Sequence, residues 1–271
     1  MGFKIPVESG VGLYVEDIGP SDGQPILFIH GWPLNHECFE YQYNQLPKLG
    51  YRCIGVDLRG FGKSDKPWFG YTYDQLSDDI RVVIDTLGLN NVTLAGHSMG
   101  GAIAIRYMAR HQEHHIARLA LLAAAAPSFT KGPNYPYGMT KAEVDDLIQQ
   151  TYTDRPALLG TFADLFFEKP ISDPFKQWFI NIGLTAAGYS TAYTAVSLRD
   201  EKLWEDLASI QVPTGIFHGK QDKVCPFEFG EILHAMIYSS SFYVYEDSGH
   251  GLFYCDQDQF NYDLSSFIEK S

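Results

Sequence analysis

One serine lies between two glycines in the segment Gly96-His97-Ser98-Met99-Gly100, directly after the apolar run VTLA (92–95). The helical pattern GGAIAIRYMARH (100–111) follows at once. A strand that turns sharply into a helix would expose the Ser98 hydroxyl, and the helix N-terminus would favour negative charge beside it. An incidental serine in a glycine-rich turn is the plainer alternative. The strand–turn–helix context favours a nucleophilic serine.

A serine hydroxyl is a weak nucleophile and needs a neighbouring base. Asp222 follows the apolar run TGIFHG (214–219), and His250 follows SFYVYE (241–246). We expect His250 to take the serine proton and Asp222 to orient the imidazole ring. Asp247 is a second candidate for the acid, but it lies too close in sequence to face the far nitrogen of His250 easily. A helix cap at Asp222 and a loop histidine at position 250 are the alternatives without chemistry.

Acyl transfer also needs hydrogen-bond donors for the developing oxyanion. The backbone N–H of Met99, next after the serine, is one predicted donor. The other is the backbone N–H of Trp32, in the loop that follows the apolar run PILFIHG (25–31). Pro33 has no N–H and restricts the backbone of Trp32. The Trp32 ring remains free to serve as a core aromatic, because only its backbone is used.

Short apolar runs alternate with amphipathic helical patterns along most of the chain. Strands are predicted at 25–31, 52–57, 92–96, 116–124, 214–219 and 241–246, with helices at 73–87 and 100–111. This alternation predicts an α/β fold built on a mainly parallel sheet with flanking helices. The first eighteen residues instead indicate an antiparallel hairpin at the sheet edge, with Gly10 and Gly12 at its turn.

The alternation stops at Pro127 and resumes at Thr214. Between them, helical periodicity appears at 140–152, 156–168 and 174–186, without a convincing strand. We therefore expect residues 1–127 and 200–271 to form the core, and 128–199 to form a helical cap inserted between the sixth and seventh strands. A small separate helical domain is the alternative. Most aromatic residues of this region should pack within the cap, and a few should line a pocket: Phe129, Tyr137, Phe162, Phe166 and Trp178 are the candidates.

The 271 residues carry 33 acidic and 20 basic side chains, a formal net charge of −13. This balance argues against nucleic-acid binding and against an anionic membrane surface. The four cysteines form no C-x-x-C pair, so we expect free thiols in a reducing compartment. The N-terminal segment lacks the apolar core of a signal peptide, and no apolar run could span a bilayer, so a cytoplasmic location is predicted. A homo-oligomer is left open.

Three other patterns are interpreted without a cofactor or a metal. RGFGKS (59–64) lacks the first glycine of a phosphate-binding loop, since Asp57 stands at that position. No G-x-G-x-x-G with an acidic follower appears, so no dinucleotide site is expected. The histidines of HQEHH (111–115) lack the H-E-x-x-H spacing and are interpreted as a solvated helix end. The sequence therefore predicts neither a cofactor nor a metal site.

Several motifs together resemble the α/β-hydrolase superfamily: HGWP (30–33), DLRGFGKS (57–64), GHSMGG (96–101), HGKQD (218–222) and SGHGL (248–252). The stretches HGWPLN, DLRGFGKSDKPWFGYTYDQLSDD, APSFTKGPNYPYG and HGLFYCDQDQFNYDLSSFI resemble more narrowly the cofactor-free haloperoxidase, aryl esterase and perhydrolase group of serine esterases. The resemblance implies Ser98 as nucleophile, His250 as base and Asp222 as acid, with Trp32 and Met99 as oxyanion donors. It implies no metal and no haem.

The function predicted from these observations is a serine carboxylesterase that hydrolyses small, short-acyl esters through an acyl-enzyme. The resemblance adds perhydrolysis as a side activity, because Pro33 directly follows the oxyanion-loop tryptophan. A lactonase or a C–C bond hydrolase with the same triad is one alternative. A ligand-binding receptor on a hydrolase fold, with little turnover, is an alternative of another class. The natural ester stays open.

Overall fold

The computed structural model describes residues 1–271, and its centre is one eight-stranded sheet in the order β1-β2-β4-β3-β5-β6-β7-β8. Strands β3 to β8 run parallel, whereas β1 and β2 form an antiparallel hairpin at one edge. The predicted mainly parallel α/β fold is confirmed. In chain order the strands are β1 (Gly2–Glu8), β2 (Val11–Ile18), β3 (Gln24–Ile29), β4 (Tyr51–Val56), β5 (Val92–His97), β6 (Ile116–Leu122), β7 (Thr214–Gly219) and β8 (Ser240–Tyr245).

Eleven helices connect and cover these strands. In chain order they are α1 (Glu40–Tyr43), α2 (Tyr73–Thr86), α3 (Met99–Arg110), α4 (Lys141–Thr153), α5 (Arg155–Phe166), α6 (Asp173–Leu184), α7 (Gly188–Asp200), α8 (Trp204–Leu207), α9 (Phe227–Met236), α10 (Leu252–Cys255) and α11 (Gln257–Lys270). None of them combines the length and the apolar character that crossing a bilayer requires.

The inner strands carry almost no polar alternation because helices cover both faces of the sheet. Every residue of β5 and of β7 is buried. Such continuous burial is typical of parallel strands in α/β proteins. The register places Ile29 opposite Gly96, and His97 opposite Leu122. The carboxyl ends of β3, β5 and β6 therefore meet at one edge, where the loops after them can converge.

Five helices lie between β6 and β7, and the four longer ones, α4 to α7, cover that edge. Three of them begin at side chains that accept hydrogen bonds from the first turn: Thr140, Asp154 and Ser172. Phe162 and Phe179 of this cap belong to the same hydrophobic cluster as the strands. The cap and the sheet are therefore packed around one continuous apolar core.

Helix α7 was not predicted from the sequence. Its buried face mixes the small polar residues Ser190, Thr191, Thr194 and Ser197 with Ala192, Ala195 and Leu198, so the apolar repeat is weak. Small hydroxyl side chains can still pack there because they return hydrogen bonds to nearby carbonyls: the Thr194 hydroxyl donates to the carbonyl of Ser190 at 2.8 Å.

The loop after β4 contains the segment DLRGFGKS, and its charges serve the fold. Asp57 is fully buried and accepts hydrogen bonds from the His36 backbone N–H at 2.8 Å and the Lys63 N–H at 2.7 Å. Burial alone would raise the pKa of Asp57, but the hydrogen bonds and charge of His36 lower it. Arg59 is also fully buried and pairs with Asp79 through two hydrogen bonds of 2.6 and 2.7 Å.

Replacing Arg59 by methionine should destabilise the fold by about 3–5 kcal/mol, because Asp79 would become an unpaired buried acid. Urea unfolding followed by circular dichroism measures the loss. The double variant Arg59→Met with Asp79→Leu should recover most of the stability, since it removes both charges. A single variant as stable as the wild type would contradict the assigned role of this pair.

Candidate active site

Ser98 stands at the junction of β5 and α3 in an unusual backbone conformation. Its φ is 55° and its ψ is −118°, in a region that residues with side chains rarely occupy. The Ser98 N–H donates to the Leu122 carbonyl at 2.9 Å, and the Ser98 carbonyl accepts from the Ala125 N–H at 2.9 Å. These hydrogen bonds to the end of β6 and the loop after it hold the turn in place.

The turn around Ser98 has no room for larger residues. A Cβ on Gly100 would lie 2.2 Å from the Ile29 carbonyl oxygen, far inside contact distance. Gly100 therefore lets α3 begin directly beside the end of β3. The sequence prediction of a tight strand-to-helix turn at this point agrees with the geometry.

His250 and Asp222 form a buried hydrogen-bonded pair at the same edge of the sheet. The ring Nδ1 of His250 donates to Asp222 Oδ2 at 2.7 Å, and neither side chain is exposed. Asp222 Oδ1 accepts from the backbone N–H groups of Val224 and Cys225, each at 2.8 Å. The carboxylate is thus fixed from both sides. Asp247, the rival acid, is exposed to solvent.

The second ring nitrogen of His250, Nε2, is buried and has no hydrogen-bond partner in the protein. His250 lies next to the serine turn, since its ring is 4.6 Å from the ring of His97, the residue before Ser98. In a neutral imidazole that donates its Nδ1–H to a carboxylate, the lone pair is on Nε2. This nitrogen can accept a proton from a group beside Ser98.

The backbone N–H groups of Trp32 and Met99 have no backbone acceptor in the protein. Met99 is the first residue of α3, whose early N–H groups have no acceptor within the helix. The loop before Trp32 lies against the serine, because a Cβ on Gly31 would be 2.8 Å from Ser98 Cβ. The geometry therefore brings both predicted donors to the serine turn.

The side chain of Trp32 ties this loop to the cap. Its indole N–H donates to the carbonyl of Thr191 in α7 at 2.8 Å. The ring packs edge-on against Phe162 of α5, with 5.6 Å between centroids. Trp32 is thus both a contributor to the loop and a core aromatic, and the two roles use different atoms.

A cavity of about 160 Å³ opens beside Ser98. Its wall is apolar except for Ser98 and Lys223, and Lys223 pairs with Glu168 of the cap at 2.6 Å. The lining residues are Trp32, Ser98, Phe129, Met139, Val144, Leu147, Phe162, Leu165, Ala195, Leu198, Lys223 and Val224. Among the aromatic residues proposed for a pocket, Phe129 and Phe162 line it, whereas Tyr137, Phe166 and Trp178 do not.

Comparison with known proteins agrees with this geometry. Residues 24–145 match the family model for the alpha/beta hydrolase fold. The chain is 52% identical over 267 residues to the "AB hydrolase superfamily protein YisY" of Bacillus subtilis, covering 98% of this chain and 99% of that one. It is 30% identical over 277 residues to the "Bifunctional esterase/perhydrolase DCH" of Acinetobacter calcoaceticus, covering 99% of both. The solved structure of an esterase from Exiguobacterium antarcticum superposes with a TM-score of 0.97 at 49% identity, covering 99% of this chain and 100% of that one.

The chain belongs to the α/β-hydrolase fold family. The predicted resemblance to the haloperoxidase, esterase and perhydrolase group is confirmed by the relatives in that group. The matches extend through the cap, since these relatives are covered over almost their whole length.

Three buried histidines of this hydrolase were not predicted as part of the site. His97 Nε2 donates to the carbonyl of His250 at 3.2 Å, and His218 Nε2 donates to the carbonyl of Cys225 at 2.9 Å. His30 Nδ1 donates to the carbonyl of Gly31 at 2.9 Å. Burial lowers the pKa of each ring, so all three are neutral donors near pH 7. One feature of the sequence could have indicated them: each of the three histidines lies at or near the end of a predicted strand.

Phe166 also contacts the site, although the sequence analysis named it only as one of several aromatic residues of the cap. Its ring packs edge-on against the ring of His250, with 5.0 Å between centroids. Its carbonyl accepts a hydrogen bond from the Gly251 N–H at 2.9 Å. Phe166 therefore covers His250 and excludes water from one side of the ring.

His30 makes the stability of this hydrolase depend on pH. Burial lowers the pKa of His30 from its ordinary value of 6.5 to about 4. The folded state disfavours the charged ring, so protonation of His30 favours unfolding. The contribution of the neutral ring to the free energy of unfolding is complete above pH 6.5 and is lost as the pH falls towards 4. The resulting decrease in the free energy of unfolding should reach about 3 kcal/mol.

The His30→Gln variant should show a flatter decline of unfolding free energy between pH 7.5 and 4.5, because glutamine does not titrate. Its amide can also replace both ring hydrogen bonds, which the ring makes to the Gly31 carbonyl and from the Leu58 N–H. Urea unfolding at a series of pH values provides the comparison. Parallel curves for the two proteins would rule out His30 as a source of the slope.

Proposed function

We propose that this hydrolase is a serine carboxylesterase for small esters that works through an acyl-enzyme at Ser98. The observation that carries the proposal is the Asp222–His250 pair, whose free Nε2 is buried beside a serine on a strained turn. The names of the Acinetobacter and Exiguobacterium relatives, which include the word esterase, support it.

In the proposed reaction the Ser98 oxygen attacks the ester carbonyl while His250 Nε2 takes its proton. The step requires the Ser98 hydroxyl to hydrogen-bond to Nε2 when substrate binds, as catalytic pairs commonly do. Asp222 stabilises the resulting imidazolium. The N–H groups of Trp32 and Met99 stabilise the oxyanion. His250 then gives the proton to the leaving alcohol, and water repeats the sequence on the acyl-enzyme.

The cavity size favours short acyl groups. A cavity of about 150 Å³ is large enough for benzene. The cavity beside Ser98, at about 160 Å³, would therefore hold a short acyl chain or a small ring but not an extended fatty chain. Its apolar wall would bind the hydrocarbon part of such a group.

Ser98→Ala should lower the rate of p-nitrophenyl acetate hydrolysis by about 10⁴ to 10⁶, because it removes the nucleophile. A panel of p-nitrophenyl esters from acetate to decanoate, assayed with the wild type, should show the highest kcat/KM for short chains. A variant that kept more than about a tenth of the wild-type turnover would exclude Ser98 as the nucleophile. Wild-type protein with no measurable turnover would instead favour the receptor alternative.

The acid provides a matched pair of variants for the same assay. Asp222→Asn should reduce turnover by about 10⁴, because the amide favours the wrong imidazole tautomer. Asp247→Asn makes the same chemical change on an exposed side chain near His250 and should have little effect. Equal losses in both variants would mean that the two substitutions disturb the loop around His250, and would contradict a specific role of Asp222 towards the imidazole.

Perhydrolysis is a second proposed activity, in which hydrogen peroxide replaces water as the acceptor of the acyl group. The name of the Acinetobacter relative includes this activity. In this chain, the Leu34 N–H donates to the Gly31 carbonyl at 2.9 Å, so Trp32 and Pro33 are the central residues of a tight turn. The Trp32 carbonyl accepts no hydrogen bond from the protein. It can therefore accept one from the distal hydroxyl of a peroxide, which water does not possess.

Pro33→Leu should lower the ratio of peracetic acid formation to ester hydrolysis, since it changes the turn that presents the Trp32 carbonyl. Both rates should be measured on one acetyl ester, with and without peroxide, in the wild type and the variant. Equal losses of the two rates, or a wild type that forms no peracid, would leave hydrolysis as the sole activity of Ser98.

A further inference from the structure

A group of potential metal ligands lies far from Ser98, at the amino ends of the parallel strands. Asp85 is near the end of α2, and His114 and His115 belong to the turn that leads into β6. One carboxylate oxygen and two ring nitrogens from these residues all lie within 4.8 Å of one another. We propose that Asp85, His114 and His115 form a binding site for a zinc ion. This inference is independent of the proposed esterase function.

The backbone of the turn explains how two consecutive histidines reach the same point. Gln112, Glu113 and His115 have φ values of 50°, 56° and 61°, in the left-handed region. Each such conformation costs roughly 1–3 kcal/mol for a residue with a side chain, so the surroundings must hold it. In a regular strand, consecutive side chains point to opposite faces. Here the rings of His114 and His115 are 3.7 Å apart.

Hydrogen bonds from three directions hold this turn. The Val92 N–H donates to the His115 carbonyl, and the Tyr107 hydroxyl donates to the His114 carbonyl, both at 2.9 Å. The side chain of Glu113 accepts from the N–H of Val212 at 3.2 Å. The two rings are therefore presented by a fixed backbone, which reduces the entropy lost when a ligand binds.

The carboxylate of Asp85 is oriented by a neighbour. Arg81 Nε donates to Asp85 Oδ2 at 2.8 Å, while Oδ1 lies 2.9 Å from His114 Nε2. One oxygen is thus anchored and the other faces the histidines. Carboxylates that bind metals are commonly held in this way by a hydrogen bond to their second oxygen.

The donor set suits zinc. Imidazole nitrogens favour Zn²⁺, Cu²⁺ and Ni²⁺ over Mg²⁺ and Ca²⁺, and zinc accepts carboxylate oxygen as well. Zinc lies about 2.0–2.2 Å from such ligands, so the ligand atoms must approach to roughly 3.3 Å. Asp85 and His115 are exposed and His114 is half-buried, so small side-chain rotations can achieve this. Water would complete a tetrahedral site.

The sequence did not reveal this cluster because its third member lies on another element. HQEHH alone lacks the usual spacing of zinc ligands, and Asp85 precedes His114 by 29 positions. The fold brings α2 beside the turn. Zinc bound there would link the end of α2 to the start of β6, and it would stabilise the folded state by binding it in preference to the unfolded chain.

Isothermal titration of the tag-free, chelator-treated protein with zinc chloride at pH 7.5 tests the site. The wild type should bind one equivalent, and Asp85→Asn and His115→Asn should each weaken binding by about tenfold or more. Asparagine suits position 115 because it tolerates left-handed φ. His234→Ala, which removes an exposed histidine elsewhere, is the matched control and should bind like the wild type.

Two further readouts separate loss of binding from loss of fold. At the same zinc concentration, the melting temperature should rise more in the wild type and in His234→Ala than in Asp85→Asn or His115→Asn. If the proposed esterase activity is correct, all four proteins, when folded, should hydrolyse p-nitrophenyl acetate at the same rate without zinc. If the protein has no esterase activity, circular dichroism shows whether each variant is folded. Absence of binding to the wild type, or unchanged affinity in both ligand variants, would overturn the proposal.

Discussion

The site depends on one strained position, the backbone of Ser98 with its positive φ. A conformation of this kind costs on the order of 1–3 kcal/mol, and it persists only where its surroundings leave no alternative. Here the end of β6 and the loop after it supply hydrogen bonds to both the N–H and the carbonyl of Ser98. Gly100 lets the next helix start against β3. The parallel sheet is therefore the device that maintains the strain, because three adjacent strands end around this residue.

The same edge is organised by neutral histidines. His30, His97 and His218 each donate a hydrogen bond to a backbone carbonyl, in the loops of Trp32, His250 and Asp222 respectively. A buried charged donor would require an opposite charge to offset its desolvation, whereas a neutral imidazole requires only hydrogen bonds. The lowered pKa values of these rings follow from the same burial. Neutral donors thus position the three loops without adding a charge beside His250.

The sequence was informative where chemistry follows strand ends. A serine, an aspartate and a histidine placed directly after apolar runs lead to one edge of a parallel sheet, and the structure brings Ser98, Asp222 and His250 there. Helix α7 was missed because its buried face mixes small polar residues with alanine, which leaves only a weak hydrophobic period. Contacts between distant elements left no local pattern at all. The packing of Phe166 on His250 and the approach of Asp85 to His114 both depend on the finished fold.

The last residue of α5 and the segment after it attach the cap to the site by one aromatic contact and two ion pairs. Glu168 pairs with Lys223 at 2.6 Å, beside Asp222, and Lys169 pairs with Asp256 at 2.5 Å, in the segment after His250. These ion pairs are partly exposed, so each contributes roughly 0–1 kcal/mol. Burying the Phe166 ring contributes about 1.5–3 kcal/mol. The aromatic contact is therefore the stronger attachment of the two kinds. That contact also covers the His250 ring directly, so the attachment of the cap and the shielding of His250 from water depend on the same side chain.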